Sequence, residues 1–417
     1  MPRLIPAVLR KLALDLRASY WFVPGALTIG ALLMAFLCEY LDRNGFTEAL
    51  PKVMVQADAG AARSVLSVIA SSAIGAAGVM FSMTMVAVSF ASSNFGPRLI
   101  GNFMQDRGTQ FSLGALLATF VFCLAILRAV QDGEDGFAWI PVLSLPVALL
   151  LAALSVGVMI YFVHHIPELI SLENVSAALG RRLMRAIDDL PDLEPQTLPE
   201  MAGRTEIVAL TETGYIQALD AQGLRKLAEA RGWTLRLLSQ PGDFVGPHVP
   251  VLRVGTTRPL DPAEIGHLRG RFAIGTGRTE AQNPLFIAQE LVEIIARALS
   301  PGVNDPVTAM NCLSWLHAAL HKLAARGPVD TLDGAGLCDA ERALGFAAVL
   351  KAAHADTRPY LADDPMVIRH AHGLLSLLLK DLPQGPRRDL VAAQRQMLVS
   401  EARQLHPENH EVAALDP

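Results

Sequence analysis

The residues best suited to chemistry in this 417-residue chain are a few histidines that lie near one another or near a carboxylate. His317 and His321 stand four positions apart, so a helix would place both imidazoles on one face, as a metal ion requires. His164, His165 and Glu168 form a second such group after a long apolar stretch. Neither group offers the further ligands that a zinc site needs. Both groups therefore predict packing or surface roles, with no metal and no cofactor.

Other catalytic patterns are equally thin. The four cysteines are scattered without a Cys-x-x-Cys pair, which is typical of small buried apolar residues. They are Cys38, Cys123, Cys312 and Cys338. No Ser-His-Asp, Cys-His or paired-carboxylate arrangement stands out. An enzyme is the least supported class of function, and no catalytic residue is predicted.

A stripe of small residues runs along one face of a long apolar segment. At 3.6 residues per turn, its members fall within about 40° of one line. The stripe consists of Ser67, Ser71, Gly75, Gly78, Ser82, Ser89 and Ser93, with Met85 as the one large residue on it. Small residues let helices approach closely, whereas a hydroxyl lining also suits a water-filled pore at the centre of a homo-oligomer. Helix packing and pore lining both remain open as interpretations.

The residues after the stripe bear on the pore interpretation. Asn94, Gly96 and Pro97 predict the end of the helix, and Arg98 follows at the expected membrane boundary. If the stripe lines a pore, Asn94 and a ring of Arg98 would form its inner mouth and favour anions. A positive anchor beside lipid headgroups is the other interpretation of Arg98.

A second candidate site lies in the last third of the chain. Arg278 and Thr279 precede a predicted helix, and a helix N-terminus flanked by Gly and Arg can hold an anion. Asn304 and Asp305 belong to the stretch SPGVNDP between two predicted helices, where Asp305 suits an N-cap and the proline after it the first helical position. A tight corner between helices is the simpler interpretation, and binding of an anion or protein partner is the alternative.

Four membrane spans position the stripe. Apolar stretches long enough to cross about 30 Å of hydrocarbon run over about 20–40, 64–93, 111–130 and 139–163. Arginines and lysines precede the first span, separate the second from the third and follow the fourth, whereas the loop between the third and fourth carries only acids. Both termini are therefore expected in the cytoplasm. Ionisable residues are missing from deep within the spans, which argues against a pump, a proton antiporter or a voltage sensor.

The fold class predicted is an α-helical membrane protein with a cytoplasmic α+β domain that becomes mostly helical toward its C-terminus. The expected parts are a cytoplasmic segment 1–19, a four-helix domain 20–165, a membrane-exit helix and linker 166–202, a small α/β subdomain 203–282, a helical subdomain 283–405 and a disordered tail 406–417. Strand-like runs around a helix with Asp220 as N-cap and Gly232 as stop predict a βαβ-like unit. The net charge of −5 gives no basic face for nucleic acid.

Several stretches together resemble a family of predicted bacterial inner-membrane proteins known as domain of unknown function 2254. They are GVMFSMTMVAVSFASSNFGPRLI, FMQDRGTQFSLGALLATFVFCL, ETGYIQALD and ALSPGVNDPVTA, in the same order along most of the chain. The resemblance implies a bacterial inner-membrane location and the architecture above. It implies no activity, substrate or catalytic residue.

Two functions follow from these observations. The first is a homo-oligomeric, channel-like protein in which the stripe lines a neutral path and the cytoplasmic domain forms a vestibule or regulatory domain. The alternative is a non-conducting sensor or scaffold whose cytoplasmic domain binds a small anion or a protein. The expected partners are the lipid bilayer, further copies of the chain, and an ion or small anion.

Overall fold

The computed structural model describes residues 20–44, 59–96, 106–130, 142–189, 201, 203–279, 283, 285–326 and 345–416. The chain divides into two compact units, Met1–Ser171 and Leu172–Pro417. We call them the membrane unit and the C-terminal unit and describe each by itself.

Four long apolar helices form the membrane unit. They are α1 (Phe22–Arg43), α2 (Ala59–Phe95), α3 (Arg107–Ala129) and α4 (Ser144–Leu169). All four are long and apolar enough to cross a membrane, which confirms the four predicted spans as helices of that kind. Helix α2 is the longest at 37 residues. It is followed by Gly96, whose φ of 112° leaves the helical region and ends the helix.

At one end of the membrane unit, hydrogen bonds connect the start of α2 to the end of α3 and the end of α1 to the start of α4. Arg63, near the start of α2, donates a 3.1 Å hydrogen bond to the carbonyl oxygen of Val130 after α3. Asp42, near the end of α1, accepts from the Leu143 backbone N–H and the Ser144 hydroxyl, both at 2.8 Å, and so caps the start of α4. Helices α1 and α3 therefore end where α2 and α4 begin.

The opposite end holds a histidine–carboxylate pair. Asp106 caps α3 by accepting a 2.7 Å bond from the Thr109 N–H, and its Oδ2 lies 2.8 Å from Nε2 of His165 near the end of α4. The His165 ring stacks on Tyr161, with ring centroids 5.1 Å apart. These contacts complete an up-down-up-down bundle in which successive helices run in opposite directions. His165 is thus bound to a carboxylate and stacked on an aromatic ring.

Helix α3 is the centre of the bundle and packs against the other three helices. Phe122 and Leu116 are fully buried there. A hydroxyl pair lies within the same core, because the Thr119 and Ser155 oxygens approach to 3.0 Å between α3 and α4. These two hydroxyl groups thus bond to each other, which removes the cost of leaving them alone in an apolar interior.

Two small antiparallel sheets form the first part of the C-terminal unit. The strands are β1 (Arg204–Ala209), β2 (Gly214–Leu219), β3 (Thr234–Leu237), β4 (Phe244–Val245), β5 (Pro250–Thr256) and β6 (Phe272–Gly275), with helices α6 (Ala221–Arg231) and α7 (Pro262–Arg269), after α5 (Leu172–Asp188). One sheet has the order β1-β5-β3 and the other β4-β2-β6. Both ends of α6 agree with the prediction: the Asp220 side chain accepts from the Gly223 N–H, and Gly232 adopts a left-handed φ of 66°.

The predicted βαβ-like unit is wrong. The strands on either side of α6, β2 and β3, belong to different sheets, and every pairing is antiparallel. A βαβ unit needs two parallel strands in the same sheet. Here β1 pairs with β5, and β2 pairs with β4 and β6, so strands that are not consecutive in the chain pair with each other. Local sequence patterns do not reveal such pairings.

Helices form the rest of the C-terminal unit where the structure describes it. They are α8 (Leu285–Ala298), α9 (Pro306–Ala325), α10 (Phe346–Leu350), a π-helical turn (Lys351–Ala355), α11 (Arg358–Leu361), α12 (Pro365–Asp381), α13 (Pro386–Leu405) and α14 (His410–Ala413). Helix α9 is central, with Leu313, Leu316 and Leu320 fully buried. It packs closely on α5, where Gly180 lies against the ring of Trp315.

The C-terminal residues correct the expectation of a disordered tail. Helix α14 begins after Asn409, whose side chain accepts from the Val412 N–H at 3.1 Å. Val412 is fully buried and packs against Ile368 and Ala402. Although this segment is mostly polar, the buried Val412 and the Asn409 cap hold it in place. Residues 406–416 are therefore folded onto α12 and α13.

Candidate functional site

Helix α2 has one face that packs on the bundle, and that face is made mostly of alanine. Its buried residues are Ala59, Ala62, Leu66, Ala70, Ala73, Ala77, Met80, Thr84, Ala87 and Ala91. Leu66 packs with Phe122, and Met80 packs with Leu116, both on α3. The only hydroxyl on this face, that of Thr84, bonds back to the Met80 carbonyl at 2.9 Å. Close approach between α2 and α3 is therefore supplied by alanine.

The predicted stripe lies on the opposite face of α2, and we call it the serine face. Seven of its residues are exposed: Ser67, Ser71, Gly75, Gly78, Ser82, Ser89 and Ser93; Met85 is half-buried. A Cβ added to Gly75 or Gly78 would meet no atom within 4 Å in the described part of the chain. The serine face is therefore not used for packing within the described membrane unit.

Bulky apolar residues form ridges on both sides of the serine face. They are Val68, Ile74, Val79, Phe81, Val86 and Phe90, each exposed by 39% or more. The small residues between them form a shallow groove along the helix. Where a hydroxyl bonds locally, it uses its own helix, since Ser64 donates to the Gly60 carbonyl at 2.8 Å. The groove thus presents hydroxyl groups and exposed backbone between two apolar ridges.

The predicted inner mouth falls on residues that the structure does not describe. Arg98 and the side chain of Asn94 lie outside the described residues. The interpretations of Arg98 as an anion-selective ring or as a lipid anchor both stay predictions.

Arg278 and Thr279 are held by the C-terminal unit's own residues. The Arg278 guanidinium donates to the Gln289 side-chain oxygen at 3.0 Å and lies over the Tyr215 ring, 5.4 Å from its centroid. The Thr279 hydroxyl donates to the Gln217 carbonyl at 3.3 Å. Both residues therefore connect the segment before α8 to strand β2 of the sheet β4-β2-β6.

Asn304 and Asp305 lie at the other end of α8 and form the predicted corner. The Asp305 N–H donates to the Ala298 carbonyl at 2.7 Å, and its side chain caps α9 through the Thr308 N–H at 3.1 Å. Asn304 adopts a φ of 50°, a left-handed conformation that turns the chain between the two helices. The 14-residue helix α8 spans about 21 Å, so these two residues and Arg278 do not form one site.

A buried histidine pair is the site that the sequence missed. Nε2 of His317 on α9 lies 2.6 Å from Nε2 of His354 in the π-helical turn, and both side chains are almost fully buried. Neither Nδ1 atom has a hydrogen-bond partner among the described residues. His321, which the sequence groups with His317, instead faces Asp381, with Nδ1 3.1 Å from Oδ2. The two histidines are 37 residues apart in the sequence, so no local motif reveals that they form a pair.

Burial sets the protonation of this pair. Burial lowers the pKa of His317 well below its ordinary value, with smaller effects from His354, His321 and His370. Burial alone lowers the pKa of His354 to about 3. Both imidazoles are therefore neutral at pH 7, with one Nε2–H donating to the other ring. Within the described residues, no three His, Cys, Asp or Glu side chains are grouped as a metal ion would require.

The thiols are structural where they are described. Cys38, Cys123 and Cys312 are free and buried, and Cys338 lies outside the described residues. Burial raises the pKa of Cys312 to about 12. A buried thiol that stays protonated is a poor nucleophile, so Cys312 acts as a small apolar residue.

Comparison with known proteins agrees with the membrane helices. The family model described as predicted membrane protein (DUF2254) matches residues 17–376. An uncharacterised protein of Mycobacterium bovis is 30% identical over 408 residues, which cover 94% of this chain and 78% of that protein. An uncharacterised protein of Mycobacterium tuberculosis matches to the same extent. No solved structure matches.

Proposed function

We propose, for a chain that belongs to the DUF2254 family of predicted membrane proteins, a homo-oligomer whose subunits meet along the serine face of α2 and enclose a channel-like path. One observation carries the proposal. The serine face lies opposite the alanine face and remains uncovered in the described membrane unit. A small-residue groove of this kind is what a second helix needs for close packing in lipid.

The exposed surfaces of α1 and α4 differ from the serine face of α2, because they carry bulky side chains. The exposed surface of α1 carries Leu33 and Leu37, and that of α4 carries Leu150, Leu154 and Ile160. Bulky side chains of this kind fill the space between lipid tails. The serine face offers lipid few atoms to contact, whereas a neighbouring α2 can enter the groove and pack against both ridges. Contact with another copy of the chain therefore suits this face better than contact with lipid.

Closed symmetry brings the same face of every copy toward one axis. If the helices surround that axis at a distance, the hydroxyl groups of residues such as Ser71 and Ser82 line a neutral path for water and ions. The protein then resides in the bacterial inner membrane with both termini in the cytoplasm. The C-terminal unit serves as a vestibule or regulatory domain, and Arg98 at the inner mouth favours anions.

Cysteine cross-linking in membranes tests the oligomer. In a background where the native cysteines are replaced by alanine, Ser71→Cys and Ser82→Cys should form cross-linked dimers upon mild oxidation. Leu150→Cys, on the exposed surface of α4, is the matched control and should stay monomeric. If the two serine-face variants remain monomeric, or if Leu150→Cys cross-links equally, subunits do not meet along the serine face.

Currents through reconstituted protein test the path itself. Wild-type protein in planar bilayers should give discrete current steps, and Ser82→Leu should abolish them by filling the path. Leu150→Phe, on the exposed surface of α4, changes bulk away from the serine face and should keep them. Steps that survive in Ser82→Leu would contradict pore lining. Cross-links without any current would favour the non-conducting sensor or scaffold.

A further inference from the structure

Two arginines lie side by side on the sheet β1-β5-β3 of the C-terminal unit. In the antiparallel register of β3 and β5, Arg236 is directly opposite Arg253. The third residue of that row is Ile207 on β1, so no carboxylate stands next to the pair along the row. Side chains directly opposite on neighbouring strands have Cβ atoms about 5 Å apart and point to the same face.

Among the described residues, no carboxylate forms an ion pair with Arg236 or Arg253, and the nearby Asp243 carboxylate instead accepts from the Gln240 N–H at 2.9 Å. Both side chains are half-buried, and neither has an ion pair or hydrogen bond among the described residues. Nearby arginines behave differently: Arg258 binds Glu264, and Arg271 binds Asp220. Like charges directly opposite each other destabilise a sheet. The fold therefore tolerates a local cost that a bound anion would remove.

The pair lines a cleft. The cleft has a volume of about 280 Å³ and is bounded by Arg236, Leu237, Leu238, Ser239, Gln240, Asp243 and Arg253. Its loop is fixed by internal bonds. The Ser239 hydroxyl donates to the Pro250 carbonyl at 2.8 Å, and the Gln240 N–H donates to the Asp243 carboxylate at 2.9 Å. The arginines thus border a pre-formed cleft that is open to solvent.

We propose that this cleft binds the phosphate group of a small hydroxylated anion. Guanidinium groups bind phosphate oxygens through paired N–H donors, and two neighbouring arginines can hold one phosphate from two sides. The cleft lies near the lower end of the volume range of small-molecule sites, about 300 Å³, which suits a phosphate monoester of a few carbon atoms. Asp243 provides an acceptor for a hydroxyl of the same molecule.

The phosphate has two possible sources with the same chemistry. It belongs either to a free phosphorylated metabolite or to a glycerophosphate headgroup of an anionic lipid. The inference concerns the C-terminal unit alone, so it stands or falls independently of the path along the serine face.

The test uses the full-length protein in detergent, with glycerol 3-phosphate and inorganic phosphate as probes in calorimetric titration and thermal unfolding. Wild-type protein should bind glycerol 3-phosphate and unfold at a higher temperature in its presence. Arg236→Gln and Arg253→Gln should each weaken binding about tenfold or more, because a charge-assisted contact is lost. Without phosphate, both variants should unfold at the wild-type temperature or above, since the like-charge contact is relieved.

Arg225→Gln is the matched control, because Arg225 is exposed on α6 and does not line the cleft. It makes the same charge change and should leave binding unaltered. Equal loss in Arg225→Gln, wild-type binding in both cleft variants, or no binding of either probe would each overturn the proposal.

Nanodiscs distinguish the two sources. If phosphatidylglycerol nanodiscs raise the unfolding temperature of wild-type protein but not of Arg236→Gln, relative to phosphatidylcholine nanodiscs, the headgroup is the source. If the soluble probe binds equally well in both kinds of nanodisc, the source is a free metabolite. Either result supports phosphate binding by the arginine pair.

Discussion

Acid should loosen the helical part of the C-terminal unit through its buried histidine pair. An unfolded histidine has a pKa of about 6.5, whereas burial lowers the pKa of folded His354 to about 3. Between these values the unfolded chain binds more protons than the folded one, so stability falls as the pH falls. Above pH 6.5 the contribution is complete, and it disappears progressively toward pH 3.

The size of the effect follows from the fold. His354 is almost completely buried, so solvent screening does not reduce it. The slope is about 1.36 kcal/mol per pH unit, which gives about 2 kcal/mol between pH 6.5 and pH 5. The pKa of His317 is lowered in the same direction by burial and by its neighbours, so it adds to the loss.

Hydrogen exchange measured on α9 and the π-helical turn provides the assay. After correction for intrinsic exchange rates, the opening free energy of these segments should fall by about 2 kcal/mol or more between pH 6.5 and pH 5. The double variant His317→Leu with His354→Leu removes both polar groups together and should remove most of this dependence. A smaller part should remain from His370, which contacts Ser314 on α9 and whose pKa is also lowered by burial. His267→Leu, an exposed histidine on α7, is the control and should keep it.

A flat profile in wild-type protein would refute the reasoning. An equal fall in the double variant would refute it as well, because the dependence would then come from other groups. Restricting the measurement to pH values of about 5 and above keeps ordinary carboxylates, with pKa values of about 4, out of the comparison.

Two substitutions test packing and capping in the same unit by thermal or chemical unfolding. Gly180→Ala should destabilise the C-terminal unit by about 1–3 kcal/mol, because the new Cβ meets the ring of Trp315. Gly373→Ala on α12 meets nothing within 4 Å and should instead stabilise by about 0.5–1 kcal/mol; equal losses in both would contradict the role of the Trp315 contact. Asp305→Ala should cost about 1 kcal/mol by removing the cap of α9, and Asp305→Ser should restore most of it. If Asp305→Ser is as unstable as Asp305→Ala, the carboxylate has a role other than capping.

Features that depend on neighbouring residues in the chain could be predicted from the sequence. Asp220, Gly232 and Asp305 occupy their expected cap positions, because capping involves atoms within one turn of the helix. The four spans follow from length and apolarity alone. The serine stripe follows from periodicity, since a helix fixes which residues share a face.

Features that depend on distant residues could not be predicted. Both faces of α2 are made of small residues, so periodicity identifies the serine face without telling which face the bundle covers. His354 meets His317 only through tertiary packing, and Arg236 meets Arg253 only through strand register. Which strands pair is also decided by tertiary packing. A local strand–helix–strand pattern therefore predicted a parallel unit, although the strands form antiparallel pairs in two sheets.

Helix α2 is longer than the hydrocarbon core of a bilayer is thick, which determines where the groove lies relative to the membrane surfaces. Its 37 residues extend about 55 Å along the axis, against about 30 Å of hydrocarbon. Even at a tilt of about 40°, the upper end of what membrane helices adopt, its height is about 42 Å. The ends of α2 therefore lie at the headgroup level or in water, whereas the groove from Ser67 to Ser93 is about 40 Å long and has a height close to the hydrocarbon thickness when the helix is tilted. Bilayer thickness then decides which serines are surrounded by lipid tails, so the same protein would present a different part of its groove in a thicker membrane.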